Sequence, residues 1–202
     1  TIQGGLDAAL VGDTVVVAAG TYVENITWPA TNGIKLIGSG ESDCIIDGDS
    51  LASVIRFEDN LGGIIDTTTL ITGFTIRNGL ASGLWSDPDA QGGGIYCGDN
   101  SNPSLLSITI TGNSAIMGGG IQCYLSSPTL ENVTISYNSA SSGGGISCND
   151  NSSPSLVNVT ISENLSDYGG GISCNDNSSP SLVNTSITNN IAYDGGGIYC
   201  YS

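Results

Sequence analysis

The segment Gly-Gly-Gly-Ile-x-Cys occurs five times in this chain and constrains its fold more than any other feature. Its cysteines are 26, 25, 26 and 26 residues apart. A period this regular is typical of repeat proteins, in which each unit buries its apolar face against its neighbours. The copies begin at Gly92, Gly118, Gly143, Gly169 and Gly195.

Each repeat contains three short apolar runs separated by Gly, Asn, Ser or Pro. In the repeat that starts at Gly143, these runs surround Ile146, Leu156 and Ile161. Runs this short between turn residues predict strands rather than helices. Three strands and three turns per repeat predict one coil of a parallel β-solenoid, in which equivalent residues of adjacent coils lie about 4.8 Å apart.

The whole chain, 1–202, is predicted to form one all-β solenoid domain of about eight coils. An N-terminal cap is predicted at 1–12 and irregular coils at 13–91, with an insertion at 80–91. Regular repeats follow at 92–202, and the last of them is incomplete.

The predicted cap is a short helix. Ile2, Leu6 and Leu10 have the spacing of one helical face, and a helix over the first coil would cover its exposed strand edges. In the irregular part, we assign 34–48 to the second coil and 53–57 with 70–79 to the third.

Charge limits the partners of this chain. It has 19 acidic and 3 basic residues, a net charge of -16 and no Lys or Arg after Arg77. Binding to nucleic acid requires basic groups, so we expect none.

No apolar run is long enough to span a membrane. The low lysine content and the many Asn, Ser, Thr and Gly residues favour a secreted or cell-surface protein. Because the chain lacks an initial Met and stops within a repeat, we expect it to be a piece of a longer protein.

Several motifs resemble those of a known superfamily. Gly-Asp-Thr-Val-x-Val-x-x-Gly-Thr-Tyr, Ile-Ile-Asp-Gly and Gly-Phe-Thr-Ile-Arg-Asn-Gly, which begin at Gly12, Ile45 and Gly73, resemble the opening coils of the pectate-lyase-like superfamily. The repeats look like those of polymorphic outer-membrane and autotransporter-type surface proteins. This resemblance implies a right-handed, single-stranded parallel β-helix. It implies little about function, because lyases, hydrolases, adhesins and structural fibres share that fold.

The resemblance does not extend to a catalytic set. Lyases of the superfamily pair calcium-binding aspartates with an Arg or Lys base, and its pectin hydrolases combine an aspartate cluster with a His. This sequence has no His, and Arg56 and Arg77 are its only basic candidates near a carboxylate. We therefore expect a protein that is not an enzyme.

The insertion contains the first candidate site. Trp85, Asp87 and Asp89 lie close together in it. A tryptophan beside carboxylates can stack on a sugar ring and bind its hydroxyl groups or a cation. The alternative is a surface loop that packs its aromatic side chain against the solenoid wall.

The repeated cysteines are predicted to face the core, because Ile and Cys two residues apart share one face of a strand. We interpret them as small buried thiols. Disulfides between coils are the alternative, and an odd number in one file would leave a thiol such as Cys200 for the next coil or subunit. The file consists of Cys97, Cys123, Cys148, Cys174 and Cys200.

Asparagine and aspartate recur at fixed positions in the turns. Asn132, Asn158 and Asn184 are predicted to stack as a structural ladder, because Asn tolerates left-handed backbone conformations. A second predicted ladder contains Asn113, Asn138, Asn164 and Asn190. No cofactor is expected, although stacked carboxylates allow a weak calcium site as an alternative to solvated turns. These carboxylates are Asp99, Asp150 and Asp176.

The sequence favours a non-catalytic extracellular solenoid, a filament or stalk subunit. The final coil, with Ile198 and Cys200, would present an uncovered strand edge, to be completed by another copy or by more of the same chain. The alternatives are a carbohydrate-binding or carbohydrate-active secreted protein that uses Trp85, and a fragment of an adhesin.

Overall fold

A computed structural model describes residues 1–58, 64–85 and 87–201. It is a parallel β-solenoid with one short helix at its N-terminal end and a 3₁₀ helix at Pro88–Ala90. The elements in chain order are α1 (Ile2–Ala8), β1 (Thr14–Val17), β2 (Gly20–Val23), β3 (Ile26–Thr27), β4 (Lys35–Gly38), β5 (Cys44–Asp47), β6 (Ile55–Phe57), β7 (Leu70–Thr72), β8 (Thr75–Arg77), β9 (Leu80–Ala81), β10 (Ile95–Cys97), β11 (Ser104–Leu106), β12 (Thr109–Thr111), β13 (Ser114–Ala115), β14 (Ile121–Tyr124), β15 (Thr129–Glu131), β16 (Thr134–Ser136), β17 (Ser139–Ser142), β18 (Ile146–Asn149), β19 (Ser155–Val157), β20 (Thr160–Ser162), β21 (Leu165–Tyr168), β22 (Ile172–Asn175), β23 (Ser181–Val183), β24 (Ser186–Thr188), β25 (Ile191–Asp194) and β26 (Ile198–Tyr201).

The strands stack into four parallel sheets that run along the solenoid. Sheet A contains β1, β4, β7, β11, β15, β19 and β23, and sheet B contains β2, β5, β8, β12, β16, β20 and β24. Sheet C contains β3, β6, β10, β14, β18, β22 and β26, and sheet D contains β9, β13, β17, β21 and β25. In the regular region, each coil follows the order A, B, D, C.

Three details of the predicted architecture were wrong. Three of the sheets contain seven strands in the described residues, so the solenoid has about seven coils rather than eight. The terminal helix and the longer irregular coils take up the difference. The segment around Arg56 is β6, which follows β4 and β5 and therefore completes the second coil rather than opening the third.

The third error is the number of strands per coil. The repeat pattern predicted three, whereas each regular coil contains a fourth strand, which belongs to sheet D. Its strands carry many small or polar residues. Ser139, for example, pairs in parallel with Ser114 in one neighbouring coil and with Leu165 in the other. The strands of sheet D have no apolar run of their own. They form because the stacking of coils places equivalent backbone segments beside each other.

Inward-facing side chains of sheets A, B and C fill one continuous core. On sheet C, isoleucine and the residue two positions later face inward, and each stacks in register on its equivalent in the next coil. Ile146 pairs with Ile121 on one side and with Ile172 on the other. Trp28 and Phe57 fill the wider first coils, with ring centroids 4.9 Å apart.

Helix α1 closes the N-terminal end of this core. Ile2 and Leu6 are buried in it, but Leu10 is exposed because the helix ends at Ala8. The side chain of Gln3 exchanges two hydrogen bonds of 2.9 Å with the backbone of Thr27 in edge strand β3. The carboxylate of Glu24 accepts hydrogen bonds from the first helical N–H groups. The helix therefore covers the apolar opening and pairs part of the exposed strand edge.

The triple glycine turns the chain from sheet D into sheet C. The first glycine of each copy has a positive φ, +66° at Gly143, which glycine adopts more readily than residues with a side chain. At Gly144, a Cβ atom would lie 2.7 Å from the carbonyl oxygens of Gly170 and Leu165. The adjacent coils therefore touch through their backbones at this corner, which leaves no room for side chains.

The asparagines form two different ladders. Asn132, Asn158 and Asn184 have positive φ values of 54°, 55° and 50° at the exposed corner between sheets A and B, and their amides are 3.3 Å apart. At the corner between sheets B and D, the amides are joined in a continuous chain of hydrogen bonds, and all are buried except that of Asn190, which is half-buried. From Asn138 onward, the Oδ1 atom of each accepts from the backbone and side-chain N–H groups of the asparagine in the preceding coil. This second ladder contains Asn113, Asn138, Asn164 and Asn190.

Candidate functional site

A groove of about 320 Å³ runs along the outside of sheet C, where sheet D approaches it through the glycine corner. One wall is formed by residues that directly precede a triple glycine, such as Met117, Ser142 and Tyr168. The other wall is formed by the ends of sheet C strands. Asn149, Asn175, Asp176, Tyr199, Tyr201 and Trp85 complete the lining.

Four aromatic side chains in the described part of the chain line this groove. The rings of Tyr168 and Tyr199 lie 5.4 Å apart at their centroids, with an angle of 46° between their planes. Trp85 lies in the insertion, and 55% of its surface is exposed. Tyr201, at the end of β26, is also exposed. Flat, partly exposed rings beside amides and a carboxylate can stack on an amphipathic ligand and bind its hydroxyl groups.

A buried polar network supports the floor of the groove. Ser147 Oγ donates to Asn149 Oδ1 over 2.8 Å, and Gln122 Nε2 donates to the same oxygen over 3.0 Å. Ser142 Oγ and Ser173 Oγ are 2.9 Å apart and link sheet D to sheet C. Gln122 Oε1 is buried without a hydrogen-bond partner. The network holds Asn149 in place at the groove surface.

A larger depression of about 670 Å³ lies over the outer face of sheet A. Its lining consists mainly of hydroxyl and aliphatic side chains, including Ser104, Thr129 and Val157, and contains no aromatic residue. It therefore lacks the rings that distinguish the groove on sheet C.

The structure separates the three residues that the sequence grouped in the insertion. Trp85 lines the groove, whereas Asp87 and Asp89 do not. Asp87 Oδ1 accepts the backbone N–H of Asp89 at the 3₁₀ helix. Asp89 lies 3.6 Å from the guanidinium of Arg56. Each aspartate thus has a structural contact, and the carboxylate at the groove is Asp176 instead.

The two arginines that could act as bases are held in ion pairs. Arg77 Nε lies 2.9 Å from Asp47 Oδ2, across the pair β5–β8. Burial alone would raise the pKa of Asp47, but hydrogen bonds from the Asp49 N–H, Asn78 and Arg77 hold that pKa below its ordinary value. Arg56 contacts Glu58 and lies 4.3 Å above the centre of the Tyr96 ring. Neither arginine lines the groove beside Trp85.

The three aspartates proposed as calcium ligands occupy turns with left-handed backbone. Asp99, Asp150 and Asp176 have φ values of 43°, 54° and 51°, and each is followed by an asparagine with positive φ. Aspartate and asparagine tolerate this conformation better than most residues, which explains their recurrence. Within the described residues, no group of three or more acidic, cysteine or histidine side chains is arranged to hold a metal ion.

The cysteines of the repeats stack in register along the core side of sheet C. Those from Cys97 to Cys174 are buried, Cys200 is exposed, and all are free thiols in the structure. Burial raises the pKa of the Cys97 thiol well above its ordinary value. A hydrogen bond with Cys148 raises the pKa of Cys174, and burial adds to this shift. The buried thiols are therefore protonated at neutral pH, and such cysteines are unreactive.

The last coil exposes side chains that are buried in every preceding repeat. Ile198 is 43% exposed, whereas its partner Ile172 is fully buried. Leu182 and Cys200 are likewise exposed, and their partners Leu156 and Cys174 are not. The last described coil therefore leaves apolar core positions exposed at the C-terminal end of the described solenoid.

Sequence reasoning identified Trp85 but missed the tyrosines and asparagines of the groove. Tyr168 and Tyr199 occupy repeat positions that hold Ser142 and Ser173 one coil earlier. A change from serine to tyrosine at outward-facing positions was a usable signal, because no core requirement explains it. That the two rings meet depends on the bend at the glycine corner, which the sequence does not specify.

Of the helices in the described ranges, none combines the length and the apolar character needed to cross a lipid bilayer.

Comparison with known proteins agrees with the architecture. No curated protein and no solved structure matches the chain significantly. The family model described as a right handed beta helix region matches residues 20–202. That match covers most of the chain and includes both the irregular coils and the regular repeats. The chain therefore belongs to the family of right-handed β-helix proteins.

Proposed function

We propose that this chain is a non-catalytic β-solenoid of the cell exterior that binds glycans in the groove on sheet C. One observation carries the proposal: Trp85, Tyr168, Tyr199 and Tyr201 line a single groove together with side-chain amides and a carboxylate. Rings of this kind stack on sugar faces, while polar groups between them bind hydroxyls. The volume of about 320 Å³ suits a short segment of a glycan chain.

The chemistry of the lining supports binding rather than turnover. Glycoside hydrolysis commonly requires a pair of carboxyl groups about 5–9.5 Å apart, and Asp176 is the acidic residue among those that line the groove. The arginines, which a lyase would use as bases, are paired with carboxylates elsewhere. The low lysine content and the many Asn, Ser, Thr and Gly residues of the sequence support a secreted or surface location.

Tyr168→Ala is expected to weaken glycan binding by roughly tenfold or more, because aromatic anchors dominate binding energies. The measurement is a glycan array, followed by titration calorimetry with the best ligand. Trp85→Ala should weaken binding as well.

Tyr193→Ala is the matched control, because Tyr193 is 87% exposed on sheet D and does not line the groove. Wild-type affinity in Tyr168→Ala and Trp85→Ala, with both variants folded, would contradict the proposed site. Absence of any glycan ligand would contradict the proposed function.

A second candidate function is self-association through the final coil, as in a filament or stalk. It is favoured by the core residues Leu182, Ile198 and Cys200, which are exposed on the last described coil. An apolar strand edge is a surface on which further strands can add, either from a second copy or from more of the same chain. Helix α1 covers the core at the other end. Contact between two final coils therefore meets less obstruction than head-to-tail contact.

Sedimentation velocity at several protein concentrations tests this candidate. A dimer indicates paired final coils, and longer species indicate head-to-tail filaments. Ile198→Lys should abolish either form by placing a charge in the apolar edge. Leu165→Lys is the control, because Leu165 is exposed on sheet D one coil earlier. A monomer at every concentration would reject self-association.

A further inference from the structure

We propose that the groove selects glycans that carry free, positively charged amines over neutral and acidic glycans. This inference rests on the proposed glycan-binding function and specifies its ligand class.

The charge distribution is the first argument. The chain has a net charge of -16 and no Lys or Arg after Arg77, so every repeat that forms the groove lacks basic residues. Asp176 lies in the lining itself. Asp194 is the in-register neighbour of Tyr168 in the next strand of sheet D and is exposed. The potential along the groove is therefore negative, which attracts cations and repels anions.

The aromatic lining is the second argument. The faces of tyrosine and tryptophan rings carry partial negative charge and attract an ammonium group within about 6 Å of the ring centre. Tyr168 and Tyr199 meet at an angle of 46°, so the two rings form a corner rather than a flat platform. A sugar can stack on one ring while its amine contacts the other ring or the Asp176 carboxylate.

The same lining disfavours an acidic polysaccharide. A uronate carboxylate in the groove would lie near Asp176 and find no Lys or Arg among the lining residues. Bringing a charge into a site without a partner costs free energy, and a like charge nearby adds to that cost. A neutral N-acetylated sugar avoids the repulsion but lacks the attraction.

Asp176 also allows a clean substitution. Its backbone has a φ of 51°, and asparagine tolerates this conformation as well as aspartate does. Asp176→Asn therefore removes the charge and keeps both the turn and a hydrogen-bonding side chain. Glu131→Gln is a matched control, since it removes one charge from the exposed outer face of sheet A.

The experiment compares three tetrasaccharides by titration calorimetry with the folded wild-type chain. They are β-1,4-linked glucosamine at a pH below the pKa of its amines, its N-acetylated counterpart, and galacturonate. We expect the glucosamine tetramer to bind most tightly and the galacturonate tetramer least tightly. Asp176→Asn should weaken binding of glucosamine by about tenfold, the value of one charge-assisted hydrogen bond, and leave the N-acetylated tetramer unchanged. Added salt should weaken the glucosamine complex selectively.

Tyr168→Ala separates binding in the groove from general attraction of a cation to an acidic protein. Binding in the groove should be weakened by about tenfold or more in Tyr168→Ala and retained in Glu131→Gln. General attraction to an acidic protein would leave the affinity of Tyr168→Ala unchanged. Equal or tighter binding of the N-acetylated or galacturonate tetramer would overturn the amine preference and leave the glycan-binding function intact. Glucosamine affinity that is unchanged in Asp176→Asn would also overturn it. If no tetrasaccharide or arrayed glycan binds, both proposals fail.

Discussion

Replacing Ile146 with aspartate is expected to unfold the solenoid. Ile146 is 1% exposed and lies between Ile121 and Ile172 in the core file of sheet C. The substitution removes apolar contacts whose loss typically costs about 2–5 kcal/mol, and it buries a carboxylate that no basic side chain can reach. The lost contacts and the buried charge together cost a free energy comparable with the roughly 5–15 kcal/mol by which folded proteins are stable. Far-UV circular dichroism should show loss of β-structure, and size-exclusion chromatography should show an expanded or aggregated chain.

Ile191→Asp provides the matched control. Ile191 is 64% exposed on sheet D, so the same chemical change should alter the free energy of unfolding by no more than about 0.5 kcal/mol. A soluble Ile146→Asp protein with the urea midpoint of the wild type would show that the Gly-Gly-Gly-Ile-x-Cys file is not the core.

Asn138→Ala is expected to destabilise the protein by about 3 kcal/mol, because it leaves several buried polar groups without partners. Asn138 Nδ2 donates to the carbonyl of Ile110 over 3.0 Å, and its Oδ1 accepts the backbone and side-chain N–H groups of Asn113. Water cannot replace these bonds easily, since Asn138 is almost fully buried. Urea denaturation followed by circular dichroism measures the change in unfolding free energy.

The exposed ladder supplies the comparison for this substitution. Asn158→Gly keeps the left-handed turn and removes two exposed amide contacts of 3.3 Å, so we expect a loss within about 0.5 kcal/mol. Equal losses for Asn138→Ala and Asn158→Gly would mean that burial of the inner ladder contributes nothing.

The candidate site illustrates how a repeat protein separates stability from recognition. Ile146 and its equivalents are the same residue in every regular repeat, because adjacent coils must pack in register. Positions that face away from the core do not have to pack in this way, so their residues differ between coils. One such file beside the groove consists of Met117, Ser142 and Tyr168. A groove along the solenoid can therefore change its lining from coil to coil while the core stays constant.

The repeat sequence determined the parallel solenoid, the inward file of isoleucine and cysteine, and both asparagine ladders. It could do so because a period of 25 or 26 residues places equivalent residues in register, and the strand alternation then assigns one face to the core. The N-terminal helix followed from the spacing of Ile2 and Leu6. The residue at which this helix ends did not follow from the sequence. The helix stops at Ala8, so Leu10 lies beyond it and is exposed.

Only the tertiary structure decided how the coil closes and what that closure brings together. Sheet D has no apolar pattern and exists because coils stack beside one another. Tyr168 and Tyr199 are 31 residues apart, and Trp85 comes from an insertion outside the repeat. These side chains share a groove because the glycine corner bends sheet D toward sheet C, and the angle of that bend depends on backbone contacts between coils that no single repeat specifies.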